Sequence, residues 1–324
     1  MKMRYVKYAA VIIALALPAG IAAGADPASS AGTSAAAFLN IPMGARAAAM
    51  GGAFTGLADD VYALYWNPAG ITKLDTMQAT FMQNSWLQGV SGQYIAGVYP
   101  LGYDMTVGAS IMTLNSGTIE GRDAGDNVYN YSASDSAMAA SIGTLLQDNV
   151  LVGASAKIIS QNIDNESASG FGLDVGAVYM LSDGMTLGAA IQNFTLGPLK
   201  FVDETGTLPM NIRVGIGFKT AAFSFENPTV IVADLNTPSD NSPSVGFGGE
   251  YWMSEVFSVR AGYRMQMGGS NDIGSSGLLP AGFTLGCGLK YVMLSGMSLG
   301  FDLAMVPYGG LGDTIRIALL IKFS

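Results

Sequence analysis

The stretch Asn211-Ile212-Arg213-Val214-Gly215-Ile216-Gly217-Phe218-Lys219 changes character at every step. Ile212, Val214, Ile216 and Phe218 fall on one face, and Leu208 and Met210 continue that row upstream. Asn211, Arg213, Gly215, Gly217 and Lys219 fall on the other. A period of two marks a strand with one apolar and one polar face. Residues 257–267 repeat it, with Phe257, Val259, Ala261, Tyr263, Met265 and Met267 against Ser258, Arg260, Gly262, Arg264 and Gln266, and so do residues 281–291 and 297–305. These runs are about 10 to 12 residues long. That suits a tilted membrane strand, whereas strands of globular folds usually have about 5 or 6 residues.

Working outward from this stretch, fourteen strands are predicted, over residues 77–86, 91–100, 103–114, 132–146, 150–162, 167–181, 185–194, 208–219, 228–236, 243–253, 255–267, 280–292, 296–306 and 313–323. An even count suits a bacterial membrane barrel, which is the expected fold: all-β, an antiparallel transmembrane β-barrel. The connections agree, because short ones (100–102, 147–149, 182–184, 295) alternate with long ones (115–131, 195–207, 268–279). The exception is 220–227, too long for a tight turn.

Composition points the same way. Of 324 residues 50% are hydrophobic and only 12% charged, against about a quarter charged in a typical soluble domain. Beyond the N-terminus no apolar run reaches the roughly 18 residues of a membrane helix. There is no histidine and a single cysteine, Cys287. Histidine-based triads, most zinc sites and disulfides are thereby excluded, and no carboxylate pair stands out. A non-enzymatic protein with no metal and no cofactor is expected. The net charge of −9 would repel nucleic acid rather than attract it.

The N-terminal part is organised differently. Lys2, Arg4 and Lys7, then an apolar core over 9–17, then Ala23-Gly24-Ala25 read as a secretory signal cleaved near Ala25. Residues 26–40 are Ala/Ser/Gly-rich and read as a flexible lead. Residues 41–76 form the one compact non-strand unit, a hatch or plug, ahead of a barrel over 77–324. Within it residues 44–53 predict a short helix ended by Gly51-Gly52. Leu57, Val61, Leu64 and Tyr65 predict a second, with Asp59 and Asp60 near its start, where the helix dipole favours acids, and Pro68 as its stop.

The run Gly44-Ala45-Arg46-Ala47-Ala48-Ala49-Met50-Gly51-Gly52-Ala53, the pair Asp59-Asp60, and Trp66 followed by Asn67-Pro68-Ala69-Gly70 together resemble the N-terminal region of the FadL/TodX superfamily of barrels. Residues 44–53 are most similar to its PorV/PorQ branch. The final stripe Ile315, Ile317, Leu319, Ile321 and Phe323, followed by Ser324, resembles the C-terminal signal read by the outer-membrane assembly machinery. The resemblance implies an outer-membrane location in a Gram-negative-type bacterium, with membrane lipid around the barrel. In the PorV/PorQ reading the protein is a type IX secretion component that binds or hands on secreted proteins, alongside other components of that system. In the FadL reading it is a channel for uptake of hydrophobic small molecules past the Asn67-Pro68-Ala69 hatch.

If the apolar faces meet lipid, the charged faces look inward, because an Arg or Lys in mid-bilayer costs about 2–4 kcal/mol. The inward set includes Arg213, Glu250, Arg260, Arg264, Asp302 and Arg316, with Lys157, Asp174, Lys219, Asp234, Lys290 and Lys322. These either pair with one another and with the plug, or form a polar gate. In the second case Met43, Met50, Phe54, Tyr62, Tyr65 and Trp66 of the hatch would line a pocket for a hydrophobic small ligand.

Overall fold

A computed structural model describes residues 32–102, 104–182, 184–201, 204–220, 228–267, 280–293 and 296–323. The expected signal at 1–25, most of the connection 220–227, the loop 268–279 and the turn positions Asp183 and Ser295 lie outside the described residues.

The strands are β1 (Gln78–Ser85), β2 (Ser91–Gly102), β3 (Met105–Arg122), β4 (Val128–Gln147), β5 (Val150–Ile163), β6 (Glu166–Ser182), β7 (Met185–Gly197), β8 (Leu199–Phe201), β9 (Glu204–Gly206), β10 (Asn211–Thr220), β11 (Thr229–Pro238), β12 (Ser244–Trp252), β13 (Phe257–Gln266), β14 (Phe283–Val292), β15 (Ser298–Pro307) and β16 (Asp313–Lys322). All except β8 and β9 join one closed antiparallel barrel of fourteen strands. β8 and β9 pair only with each other. The first and last strands close the ring, with Gln78 opposite Lys322 and Ser85 opposite Ile315.

The alternation sorts as a barrel requires. On β16, Ile315, Ile317 and Leu319 face outward, while Thr314 and Arg316 are fully buried. On β10, Asn211 and Arg213 are buried toward the lumen. Large apolar side chains ring the outside, among them Phe81, Ile95, Ile158, Phe247, Phe283 and Phe301. In water this belt would be a severe liability; against acyl chains it is the favourable surface.

The lumen is filled from within. Residues 35–74 run through it as the 3-10 turn Ala37–Asn40, helix α1 (Ala45–Ala49), helix α2 (Ala63–Trp66) and the 3-10 segment Pro68–Lys73. Phe38, Met43, Phe54, Leu57, Tyr62 and Trp66 form the buried centre of the molecule. Many lumen positions of the wall are glycines, and the hatch backbone lies directly on them. A Cβ on Gly56 would stand 2.7 Å from the Gly215 backbone, so neither face of that contact tolerates a side chain.

Several expectations are corrected. The predicted loop 115–131 is largely strand, because β3 and β4 continue paired as far as Arg122 opposite Val128. Residues 100–102 belong to β2 rather than to a turn. Leu208 precedes β10 and is buried rather than on the lipid face. The lead is not loose over its described end: Ala35 donates to Thr207 O at 3.0 Å and Ala36 to Gln161 Oε1 at 2.9 Å, and Phe38 and Leu39 are buried. Both hatch helices are single turns. Residues 55–62 make turns instead of the predicted longer helix. Asp60 does sit at the start of α2, accepting from Tyr62 N at 2.9 Å, and it also faces Arg46, whereas Asp59 faces the arginine and no helix end.

Ile317 sits midway along β16 on the outer face. Ile317→Lys should lower the unfolding free energy in lipid vesicles by about 2–4 kcal/mol, while Ile317→Val should change it little. Denaturant titration checks this, and equal midpoints for Lys and Ile would place the residue off the lipid face.

Candidate functional site

The hatch is held to the wall by one long side chain on an otherwise small helix. α1 reads Ala-Arg-Ala-Ala-Ala, and its alanines are buried against the barrel. Gly44 precedes it at φ 90°, and a Cβ there would meet the Tyr62 ring at 2.9 Å. This bend aims Arg46 across the lumen. Its Nε and Nη2 donate to the two carboxylate oxygens of Glu250, each at 2.8 Å. Its Nη1 donates to Asp59 at 2.6 Å and to Asp60 at 3.1 Å. Glu250 also accepts from Arg260 Nε at 2.6 Å, and Arg260 Nη1 reaches Asp302 at 2.5 Å. At the other end Lys219 Nζ lies 2.5 Å from Asp59. One chain of charges thus runs from β10 through the hatch to β12, β13 and β15.

Electrostatics set the order in which these acids hold their charge. Burial would raise the Asp59 carboxyl, but Arg46 and Lys219 outweigh it and hold it well below the ordinary carboxylate range. For Asp60 burial wins, aided by the charge of Asp59, and its pKa is raised despite Arg46. The Arg46–Asp59 pairing is therefore retained above the ordinary carboxylate range and is lost only in stronger acid, as pH falls through the depressed value.

Other hatch groups are pinned one by one. Asp234 Oδ2 accepts from the backbone of Phe54 at 2.9 Å and of Thr55 at 2.7 Å. Asn67 donates to Thr55 O and to Ala177 O on β6, each at 3.1 Å, and accepts from Ala69 N at 3.2 Å. It is extended at φ −160°, and Pro68 starts the 3-10 segment behind it. Gln192 Nε2 donates to the carbonyls of Tyr65 and Trp66. Thr284 Oγ1 donates to Ala49 O at 2.9 Å and accepts from Gly51 N at 3.0 Å. At Gly51 (φ +69°) a Cβ would stand 2.6 Å from Phe247 O, so only glycine lets the hatch lie this close.

The residues singled out in the sequence thus fall into four groups. Gly44, Arg46, Gly51, Asp59, Asp60, Asn67, Pro68, Ala69 and Gly70 lie where the hatch touches the wall or folds on itself. Met43, Met50, Phe54, Tyr62 and Trp66 are buried plug packing, and Tyr65 borders a cavity of only about 20 Å³. Glu250, Arg260 and Asp302 pair within the charge chain. Arg213, Arg264 and Arg316 form no ion pair among the described residues: they line a cavity of about 410 Å³ between the hatch and the barrel end that carries Trp86 and Tyr308. Gly52 also borders that cavity. Sequence reasoning missed Trp86, Gln192 and Thr284. The first reads as the end of an ordinary strand and the others as polar lumen positions, with nothing local to set them apart.

A model of the uncharacterised protein family UPF0164 matches residues 14–116. A search of the curated proteins finds no match. Among solved structures the Pseudomonas putida toluene transporter TodX is similar, with TM-score 0.59 and 15% identity over 86% of this chain and 97% of that chain. The Ralstonia pickettii toluene transporter TbuX gives TM-score 0.58 and 15% identity, covering 87% and 98%. A Pseudomonas aeruginosa FadL homologue gives TM-score 0.58 and 12% identity, covering 87% and 98%. The chain shares the fold of these barrels.

Arg46→Gln leaves Glu250 and Asp59 partly orphaned. Losing one partner of a buried pair costs about 3–5 kcal/mol. Amide exchange over 44–66 should accelerate at least tenfold while the barrel strands keep their protection; unchanged exchange would show that the latch is not limiting. Lys73 supplies a pH test. Its ammonium donates to Leu57 O at 2.5 Å, and burial lowers its pKa from the ordinary 10.5 to about 8. Between those values the folded protein sheds a proton that the unfolded chain keeps, so stability rises with pH across that window. Lys73→Met should abolish this rise in pH-dependent unfolding titrations.

Proposed function

We propose that this protein is a hatch-gated channel of the outer membrane that admits small molecules, in the manner named for the TodX and FadL-type barrels. The carrying observation is the division of the lumen. One part is filled by a segment held through polar contacts to the wall, and the other is a cavity of about 410 Å³ bounded by that same segment at Ile41, Pro42, Gly51 and Gly52. A plug tied by an ion-pair chain, rather than fused into the sheet, can shift without breaking a ladder bond. The outer apolar belt supplies the surface that lipid would cover. The toluene and monoaromatic hydrocarbons named for the similar barrels are the first solutes to test.

Proteoliposomes carrying the barrel report this function through uptake of labelled toluene. The double variant Asn67→Ala/Pro68→Ala removes the contact to Ala177 O and the rigid start of the 3-10 segment, and should alter the uptake rate at least threefold in a barrel that stays heat-modifiable on gels. Equal rates in variant and wild type, or no solute uptake by either, would overturn the channel reading.

A second reading has its own support. The motif at 44–53 resembles the PorV/PorQ branch, and the hairpin of β3 and β4, strands of 18 and 20 residues, is longer than a bilayer crossing needs. Such a projecting hairpin offers a docking edge to secreted proteins or secretion components. Crosslinking from residue 120 in cells should capture exported proteins in this reading, and their absence would remove it.

A further inference from the structure

The cavity above the hatch is lined by three guanidinium groups, those of Arg213, Arg264 and Arg316, and by no carboxylate among the described residues. Elsewhere in the lumen Arg46 and Arg260 each sit against acids within 4 Å, so the bare trio is a local departure from how this barrel treats its arginines. Each is held by neutral partners instead. Arg213 lies over the Trp66 ring at 4.6 Å and donates to Gln192 Oε1 at 2.6 Å. Arg316 lies 5.6 Å from the centre of the Trp86 ring and donates to Thr314 Oγ1 at 3.1 Å. Arg264 donates to Ser244 Oγ at 3.3 Å. Arg316 is fully buried, yet its Nε has no hydrogen-bond partner.

Arg213 and Arg316 are buried and Arg264 stands exposed at the cavity mouth. Grouping two buried positive charges with a third, with no directly paired acid among the described residues, is costly unless a counter-charge arrives. Guanidinium forks match the paired oxygens of carboxylate and phosphate. We infer that this cavity is a binding site for a compact polyanion, a small molecule bearing two or more carboxylate or phosphate groups. The volume of about 410 Å³ is within the range of small-molecule sites. A second cavity, beside Leu64 and Tyr94, holds only about 20 Å³. The inference stands on the cavity and not on passage through the hatch, so it survives if the channel reading fails.

Purified barrel in a non-ionic detergent, titrated calorimetrically, tests this. Citrate and pyrophosphate serve as the carboxylate and phosphate probes, with laurate and sucrose as monoanionic long-chain and neutral controls. Citrate or pyrophosphate should bind saturably, at least tenfold more tightly than laurate, with sucrose silent and with affinity falling as salt rises. Arg264→Gln, at the most accessible of the three, should weaken binding at least tenfold. Gln266→Glu places a carboxylate in the same cavity and should weaken it too, which keeps the test decisive if the arginine variant fails to fold. Saturable binding by only one polyanion identifies the headgroup chemistry and supports the site. Failure of both polyanions to bind, binding unchanged in both variants, or laurate binding as tightly as citrate would overturn it.

Discussion

The paired hydrogen bonds between Arg46 and Glu250 connect the two parts of this molecule. One comes from a five-residue helix that would not persist alone, and the other from the lumen face of β12. Every other charge in the chain is placed by this junction. Asp59 and Asp60 sit where they do because Arg46 has a third nitrogen to satisfy, and Arg260 because Glu250 has spare acceptor capacity. Such pairs contribute little net stability over an apolar alternative, since desolvation offsets most of the attraction. What they supply is register: a plug with greasy sides could settle in a barrel at many heights, and one with a forked arginine only where its carboxylate is.

The glycines act in the same direction. Where the hatch backbone runs along the wall, the wall residue is often glycine, and at Gly51 and Gly56 the hatch residue is too, so backbone atoms come close enough for polar side chains such as Asp234 and Thr284 to reach across. Close approach allows the hydrogen bonds, and the hydrogen bonds make the approach worth its desolvation. A barrel of this composition is weakly charged overall, yet its lumen concentrates the charges it has.

Much of the barrel was legible in the sequence because the membrane enforces a period of two over long runs, and nothing in the alternation at 211–219 competes with it. The hatch was only partly legible. Its helices were over-extended in the reading because apolar spacing at Leu57, Val61 and Leu64 imitates a helix, whereas these side chains point into a plug packed on every side and need no regular backbone. The helix-start position of Asp60 was legible, since its carboxylate accepts from Tyr62 N; the arginine it shares with Asp59 was not, because that partner lies 13 and 14 residues away, a distance that local rules do not see. The long β3–β4 pairing was hidden by Gly117, Gly121 and Gly125, which read as loop. Lumen charges could be assigned a face, but not sorted into paired and unpaired, since that depends on which strands the closed ring brings together.

The hatch leads straight into β1, and β1 is zipped to β16, the last strand of the chain, with Phe323 N donating to Met77 O at 2.9 Å beside the junction. The cylinder therefore cannot be sealed until its final residues are available, while the stopper, thirteen strands earlier, is already made. The hatch is therefore enclosed only when the β1–β16 seam forms, like a bung held once the last stave is set. An order of assembly is thus written into the topology.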